Sequence, residues 1–341
     1  MAERETTGED ALIQTTFAPL ASGFSGALGL EDDCALLTPP PGMDLVLTTD
    51  AVAEGVHFFA DDAARDIAWK ALAVNVSDLV AKGAQPLVYL LALAFPEQPA
   101  RAWLDGFQAG LAEAQAAFGL SLAGGDTDRR PGPISIGVTA IGTVPQGHFV
   151  KRATAQAGDL LFLSGTLGDA SLGLRLRQDF ARAAAMGLDE GAAQALVARY
   201  LRPQPKLALA PVISAFASAA MDISDGLVKD CGRLARASGL SATLDGALVP
   251  LSEAARGAVE HSPDLFELVL SGGDDYEVLA AVRPDRADAF REAAAKSGVA
   301  VTEVGRLAEG QGVRVTGRDG RPLDIEHGGW DHFPSRPRDG P

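Results

Sequence analysis

Apolar residues recur in two distinct patterns along the chain, and together they predict alternating strands and helices. Consecutive apolar residues at 45–47 predict a buried strand, and the nearly all-apolar run at 86–94 predicts a strand buried on both faces. Between and after them, apolar residues at helical spacing predict helices over 66–79 and 100–118. Interleaved strands and helices continue to the end of the chain, which indicates two α/β or α+β domains.

The boundary between the two domains is predicted in a polar connection after the strand expected at 134–144. This connection begins at Pro145 and ends in Lys151-Arg152. We therefore expect an N-terminal domain of residues 1–148 and a C-terminal domain of residues 149–341. A length of 341 residues agrees with two domains.

Composition describes an ordinary globular protein, with 47% apolar and 22% charged residues. No uncharged apolar run reaches the roughly 18 residues of a membrane span, and the N-terminus lacks the basic start and apolar core of a signal peptide. The two cysteines, Cys34 and Cys231, do not make a disulfide framework. We therefore expect reduced thiols, a cytoplasmic location and no membrane partner.

The net charge of −16 argues against a nucleic-acid partner, because no basic stripe offsets the repulsion of phosphates. An acidic protein that binds phosphates must recruit cations, so the charge and a metal-rich site would explain one another. The simpler alternative is that acidic surfaces keep a protein in solution.

Aspartates, mostly next to glycines or hydroxyl residues, recur at six predicted turns, each at the end of a strand or helix. Singly, each has a plain interpretation as a solvated turn or a helix cap. Together, hard oxygen donors in this number suggest a site with several Mg²⁺ ions that binds a nucleoside triphosphate. The six are Asp32-Asp33, Asp50 after Thr48-Thr49, Asp78, Asp126 after Gly124-Gly125, Asp222 with Asp225, and Asp274-Asp275.

Several other kinds of site are excluded by missing motifs. The chain has no Gly-x-x-x-x-Gly-Lys-Ser/Thr phosphate loop, no Gly-x-Gly-x-x-Gly dinucleotide motif and no Gly-x-Ser-x-Gly nucleophile turn. The histidines show no His-x-x-x-His pair and lie far from both cysteines, which argues against zinc. They are His57, His148, His261, His327 and His332.

The same acidic motifs, taken in order, resemble the thiamine-monophosphate kinase family of aminoimidazole ribonucleotide synthetase-like ATP-binding proteins. The resemblance runs from about Gly29 to Phe333. It implies that family's two-domain fold, a homodimer whose N-terminal sheets join across the interface, and active sites in clefts between domains. The motifs are Gly29-Leu-Glu-Asp-Asp-Cys-Ala35, Thr48-Thr-Asp50 with His57-Phe58, Lys70-Ala-Leu-Ala-Val-Asn-Val-Ser-Asp-Leu79, Gly124-Gly-Asp-Thr127, Asp222-Ile-Ser-Asp-Gly-Leu227 and Ser271-Gly-Gly-Asp-Asp-Tyr-Glu277.

The resemblance also implies roles for particular residues. Alternatives stay open for three of them: His57 as a histidine satisfied within a turn, Arg152 as a surface charge, and Trp330 as a packed anchor. The implied Mg²⁺ ligands are Asp32, Thr48, Thr49, Asp50, Asp78, Asp126, Asp222 and Asp225. The implied nucleotide contacts are Gly125, Asp126, Arg152 and Ser224, and the implied contacts to thiamine monophosphate are His57, Asp274 and Trp330.

The reaction implied is transfer of the ATP γ-phosphate to thiamine monophosphate, giving thiamine diphosphate and ADP. A phosphate monoester is largely dianionic at neutral pH, so direct in-line attack needs no catalytic base, and bound Mg²⁺ offsets the repulsion between the anions. Two positions depart from the family: Asp274 stands where Glu is usual, and Lys82, near Asp78, stands where Met is frequent. The alternatives are a sister ATP-dependent enzyme of the superfamily and a non-catalytic sensor of nucleotide or thiamine phosphate.

Overall fold

The computed structural model of the protein describes residues 8–325 and 328–331. Contacts divide the chain into two compact units, Met1–Phe149 and Val150–Pro341. His327, His332 and Phe333, which the sequence interpretation mentions, lie outside the described residues. The roles expected for the two domains stay predictions.

The first unit is a four-stranded sheet, within the described residues, with two long helices on one face. Its strands are β1 (Met43–Ala53), β2 (Gln85–Phe95), β3 (Ser121–Arg129) and β4 (Ser135–Pro145), in the order β1-β4-β2-β3. β4 pairs antiparallel with β1 and β2, whereas β2 and β3 are parallel. The helices are α1 (Glu9–Leu12), a π-helical turn (Ile13–Phe17), α2 (Ala18–Ala21), a 3₁₀ turn (Ser25–Leu30), α3 (Ala64–Ala81) and α4 (Arg101–Phe118).

Helices α3 and α4 pack against each other and form a helical layer beneath this sheet. Apolar residues of α4 recur every three or four positions, and those facing inward, such as Phe107 and Leu111, are fully buried. The two helices approach closely at Gly110, where a Cβ atom would lie 2.2 Å from the carbonyl oxygen of Arg65. Only glycine fits that contact, and Gly119 ends the helix in the left-handed conformation.

Strand β1 is longer than its apolar run, so the turn predicted at Thr48–Asp50 is wrong. β4 pairs with β1 along its whole length, from Met43 opposite Pro145 to Ala53 opposite Ser135. The turn predicted at 124–128 is also wrong, because β2 pairs with β3 through that segment. In both places, hydrogen bonding to a neighbouring strand overrides a local preference for turns.

Strand β2 is fully buried on one face but only partly buried on the other, in contrast to the prediction. Leu90 and Ala92 are exposed on the face of the sheet that points away from α3, which we call the open face. Leu45 and Leu47 of β1 are exposed on the same face, with Leu47 at 64%. Exposed leucines on one side of a sheet are typical of a surface that another element or chain covers.

The second unit contains a seven-stranded mixed sheet within the described residues, in the order β11-β10-β7-β9-β5-β8-β6. Its strands are β5 (Leu160–Ser164), β6 (Ala219–Ile223), β7 (Leu240–Asp245), β8 (Glu277–Val282), β9 (Val301–Glu309), β10 (Val313–Thr316) and β11 (Pro322–Leu323). Its helices are α5 (Asp169–Gln178), α6 (Arg182–Ala185), α7 (Glu190–Leu201), α8 (Ala210–Phe216), α9 (Leu227–Ala237), α10 (Glu253–His261), α11 (Leu265–Ser271) and α12 (Ala287–Lys296), with 3₁₀ turns at Leu207–Leu209 and Pro284–Arg286.

Central strands of this second sheet are buried on both faces. Leu161 and Leu163 of β5 join a large apolar core with residues of α5, α7, α9 and α11. Phe162 points the other way and packs on Phe290 of α12, with ring centroids 5.1 Å apart. Among the described residues, no helix in either unit is long and apolar enough to cross a membrane.

One buried hydroxyl in β2 provides a test of packing. Tyr89 is fully buried, and its hydroxyl has no hydrogen-bond partner among the described residues. A buried polar group without a partner has lost its hydrogen bonds to water and has formed none within the protein. Tyr89→Phe is therefore expected to raise the free energy of unfolding by about 1 kcal/mol, measured by urea denaturation.

Ser164→Ala is the matched control, because the Ser164 hydroxyl donates to Glu277 at 2.6 Å and accepts the Val278 N–H at 2.9 Å. This variant is expected to lose about 1–3 kcal/mol. A Tyr89→Phe protein less stable than the wild type contradicts the assignment of an unsatisfied hydroxyl.

Candidate functional site

Three of the predicted metal ligands meet on the helix face of the first sheet. Thr48 Oγ1 donates to Asp78 Oδ2 at 2.5 Å, and the backbone N–H of Asp50 donates to Asn75 Oδ1 at 2.9 Å. Alternate residues of a strand share a face, and residues three apart share a face of a helix. The strand pair Thr48 and Asp50 therefore faces the helix pair Asn75 and Asp78.

His57 follows β1 and is held by two backbone contacts. Its Nδ1 accepts the N–H of Ala53 at 3.1 Å, so the neutral ring carries its hydrogen on Nε2. Lys70 of α3, only 2% exposed, donates from Nζ to the His57 carbonyl at 2.9 Å. A buried ammonium thus ties the His57 loop to the helix that carries Asp78.

A different group of predicted residues lines a cavity of about 790 Å³ on the open face, between the N-terminal segment and the sheet. Thr49 lies here, where its Oγ1 donates to the Val138 carbonyl and accepts from Thr139 Oγ1, both at 3.1 Å. The cavity has an acidic end and an apolar wall. Its lining includes Asp32, Cys34, Gly125 and Asp126, together with Phe17, Leu90 and Ile141.

Strand register separates Asp50 from Asp126 within the unit. Asp50 lies opposite Val138 of β4, and the same row of paired residues continues to Leu91 of β2 and Gly125 of β3. Asp126 belongs to the next row and is exposed on the open face, opposite Ala92. Residues in adjacent rows point to opposite faces, and three strand spacings amount to about 14 Å. The structure does not bring these two carboxylates of one chain together.

In the second unit, a buried carboxylate organises the turn from β6 into α9. Asp230 is fully buried and accepts the backbone N–H groups of Ser224 at 3.1 Å and Asp225 at 2.9 Å. Burial raises the pKa of Asp230, against the opposing effects of the Asp225 N–H and the Arg233 guanidinium 2.7 Å away. Asp222, at the end of β6, is also buried, with 6% of its surface exposed.

Asp225 lies between two cations. Its Oδ2 is 2.6 Å from Arg233 Nη2 and 3.2 Å from Lys229 Nζ. The Asp225 carboxylate, which the resemblance assigns to a metal, is therefore already paired with two cations within this unit. Its backbone is used as well, because its carbonyl accepts the Trp330 N–H at 2.9 Å.

Trp330 is attached to the start of α9 by a short segment, Gly328–Trp330. The Gly328 carbonyl accepts the Lys229 N–H at 2.9 Å, and Lys229 Nζ also donates to the Trp330 carbonyl. At Gly329 a Cβ atom would lie 2.4 Å from the Asp225 carbonyl oxygen, so only glycine allows this approach. The indole is 41% exposed, which leaves it accessible beside Asp225.

Asp274 joins the same group through the segment between α11 and β8. Its N–H donates to the Ser224 carbonyl at 2.9 Å, and its Oδ1 accepts the Tyr276 hydroxyl at 3.2 Å. Ser224, Asp225, Asp274 and Trp330 are thus neighbours in the second unit. Arg152 is exposed in the connection before β5, where its carbonyl accepts Ser238 Oγ at 3.2 Å.

Among the residues that the structure describes, no three His, Cys, Asp or Glu side chains lie close enough to hold one metal ion. The predicted ligands form pairs and small groups: Thr48, Asp50 and Asp78 on the helix face, Asp32, Thr49 and Asp126 at the cavity, and Asp222 and Asp225 in the second unit.

Comparison with known proteins matches the two units to the two domains of one family. Residues 31–144 match the AIR synthase related protein N-terminal domain, and residues 156–318 match the C-terminal domain of that family. The Caulobacter vibrioides thiamine-monophosphate kinase is 42% identical over 94% of this chain and 89% of its own. The crystal structure of the Stenotrophomonas maltophilia enzyme of that name superimposes with a TM-score of 0.81, at 40% identity, over 93% of this chain and 98% of the other.

This chain belongs to the thiamine-monophosphate kinase family. A further structure, AaThiL complexed with AMPPCP and TMP, matches with a TM-score of 0.75 at 35% identity, over 89% of this chain and 91% of the other. The Escherichia coli hydrogenase maturation protein HypE shares the fold alone, with a TM-score of 0.73 at 21% identity.

The motifs typical of thiamine-monophosphate kinases directed the sequence interpretation to metal ligands. That interpretation did not identify the side chains that hydrogen-bond to backbone groups. Lys70 and Asn75 stand in the same motif as Asp78, and Asp275 is next to Asp274, so their positions offered a signal. Asp230 offered none, because its partners are backbone N–H groups that only the folded turn presents.

Proposed function

We propose that this chain catalyses the ATP-dependent phosphorylation of thiamine monophosphate to thiamine diphosphate, with release of ADP. The observation that carries the proposal is the similarity, over about nine-tenths of both chains, to a family member solved with an ATP analogue and TMP. The order of the acidic motifs along the chain supports the same reaction.

The donor chemistry of the helix face supports Mg²⁺ as the metal. Mg²⁺ takes oxygen ligands and is usually held by one or two carboxylates together with substrate phosphates and water, so pairs of donors suffice. Thr48, Asp50 and Asp78 would hold the ion on this face. Bound Mg²⁺ would supply positive charge that offsets repulsion between the two phosphate groups. For Asp32, Thr49, Asp126, Asp222 and Asp225, metal binding rests on the resemblance.

The remaining predicted residues bind and orient the substrates. His57 offers Nε2–H to the acceptor phosphate, and Lys70 holds the His57 loop in place. The exposed indole of Trp330 offers a face on which an aromatic ring of thiamine stacks, beside Asp274. Gly125, Arg152 and Ser224 contact the nucleotide. The acceptor phosphate is already anionic, so direct in-line attack needs no side chain as a base.

The first test is product formation. Purified protein incubated with ATP, Mg²⁺ and thiamine monophosphate is expected to form thiamine diphosphate, detected by its fluorescence after oxidation to thiochrome. Omitting ATP, or adding excess chelator, is expected to abolish the product. A protein that binds both ligands without turnover would be a sensor, and one that accepts only another substrate would be a sister enzyme. Either result contradicts the proposal.

Asp50→Asn tests the metal ligands on the helix face. Losing one charged ligand is expected to lower kcat/KM by about 100-fold or more, with little change in Tm because the side chain is exposed. Asp44→Asn is the matched control, since Asp44 lies on the same strand and accepts the Gly147 N–H at 3.1 Å. Full activity in a folded Asp50→Asn protein removes Asp50 from the site.

We also infer that the active form is a homodimer whose sheets join edge to edge. β1 and β3 are the two edges of the first sheet, and pairing β1 of one copy with β3 of another would place the strand that carries Asp50 beside the strand that carries Asp126, with about 5 Å between the two strands. Within one chain the same two strands lie at opposite edges of the sheet, about 14 Å apart. The exposed Leu45, Leu47 and Leu90 make the open face apolar, and a partner copy that covered this face would bury them, which supports the dimer.

Mixed dimers test this arrangement. Asp50→Asn and Asp126→Asn chains carrying different tags are co-expressed, and dimers that hold both tags are purified. In each mixed dimer, one of the two shared sites then carries neither substitution. The mixed dimer is therefore expected to have about half of the wild-type activity, although each parent homodimer is nearly inactive. The matched control combines Asp50→Asn with Asp78→Asn, two residues of the same face, and is expected to remain inactive. An inactive Asp50/Asp126 mixture, or no doubly tagged species, contradicts the shared site.

The cytoplasmic location stays a prediction from the sequence, which cell fractionation would check.

A further inference from the structure

The segment Gly273–Glu277 has an unusual backbone at two non-glycine residues. Asp274 has φ +72° and Tyr276 has φ +52°, both in the left-handed region. A side chain at such a φ crowds its own backbone, so this conformation persists only where the surroundings impose it. The contacts of Asp274, Asp275 and Tyr276 show how the surroundings impose this conformation.

Asp275, between the two strained residues, is attached to the start of α5. It is 3% exposed, and its two carboxylate oxygens accept the N–H groups of Gly168 at 2.8 Å and Ala170 at 3.2 Å. Burial, reinforced by the nearby acids Asp169 and Glu277, raises the pKa of Asp275 well above its usual range, although the two N–H groups act in the opposite direction.

The flanking residues are attached elsewhere, to the end of β6. The Asp274 N–H donates to the Ser224 carbonyl at 2.9 Å, and the Tyr276 N–H donates to the Ile223 carbonyl at 2.8 Å. Gly273 completes the close approach, since a Cβ atom there would lie 2.3 Å from the Ser224 carbonyl oxygen. The segment is therefore fixed between α5 on one side and β6 on the other.

This attachment determines where the Asp274 carboxylate lies. Its Oδ1 accepts the Tyr276 hydroxyl at 3.2 Å, so the strained pair of residues also contact each other through their side chains. Aspartate is one methylene shorter than the glutamate usual in the family at this position. A shorter side chain can reach fewer positions, so the direction of its carboxylate depends more on the backbone conformation of the residue.

From these contacts we infer that Asp275 and Tyr276 are positioning residues, which together direct the Asp274 carboxylate toward thiamine monophosphate. Asp275 acts by clamping the backbone to α5, and Tyr276 acts by its hydrogen bond to the Asp274 carboxylate. Neither needs to touch the substrate. The inference rests on the proposed function, in which Asp274 contacts thiamine monophosphate.

Tyr276→Phe removes only the hydroxyl and is the gentler of two tests. The KM for thiamine monophosphate is expected to rise about tenfold, the effect of losing one hydrogen bond to a charged group. The KM for ATP and kcat are expected to stay within about twofold, because the interaction acts on binding of one substrate. A purely structural role would instead alter all three parameters or none.

Asp275→Asn tests the clamp, because an amide NH₂ facing one of the two N–H groups cannot accept it. We expect the KM for thiamine monophosphate to rise about tenfold or more, whatever the change in Tm. Asp169→Asn is the matched control. Asp169 is also a buried acid at the start of α5, but it accepts from Thr166 Oγ1 at 2.8 Å and Ser252 Oγ at 2.5 Å. Its substitution is expected to change Tm and leave the KM for thiamine monophosphate unaltered.

Two results overturn the inference. One is an unchanged KM for thiamine monophosphate in Tyr276→Phe, which remains decisive if Asp275→Asn fails to fold. The other is an equal rise in that KM for Asp169→Asn and Asp275→Asn, which makes the effect a general one of weakening α5. Failure of the proposed function is recognised separately, because the wild-type protein would then form no thiamine diphosphate.

Discussion

Full-length pairing of β1 with β4 is the constraint on which the first unit depends. Every residue from Met43 to Ala53 has a partner on β4, so the face to which each side chain points is decided by register. Thr48 and Asp50 consequently meet α3, while Thr49 between them faces the cavity. Three residues that are consecutive in sequence are thereby distributed over both sides of one sheet.

The second unit relies on a different device, which is the buried carboxylate that accepts backbone N–H groups. Asp230 fixes the turn that presents Ser224 and Asp225, and Asp275 fixes the segment that presents Asp274. Each of these two side chains accepts two backbone N–H groups, so a single carboxyl group fixes several residues of a loop. In the segment after α11, this contact helps to hold two residues in a strained backbone conformation.

Three cations of this acidic chain lie beside predicted site residues. Lys70 is buried beneath the His57 loop, and Lys229 and Arg233 flank the Asp225 carboxylate. With a net charge of −16, the chain as a whole repels phosphates, and these cations offset that repulsion locally. The proposed metal ions would extend the same compensation.

Much of this protein was determined by its sequence alone. Hydrophobic periodicity predicted α3, α4, β2 and β4, and the acidic motifs indicated the family, because both kinds of signal depend only on residues that are close together in sequence. Tertiary structure decided the rest. Only pairing with β4 showed that Thr48–Asp50 is mid-strand and that Leu90 is exposed. Only the folded turns revealed Asp230 and Asp275 as clamps, since their partners are backbone groups that every residue carries and that no sequence pattern distinguishes.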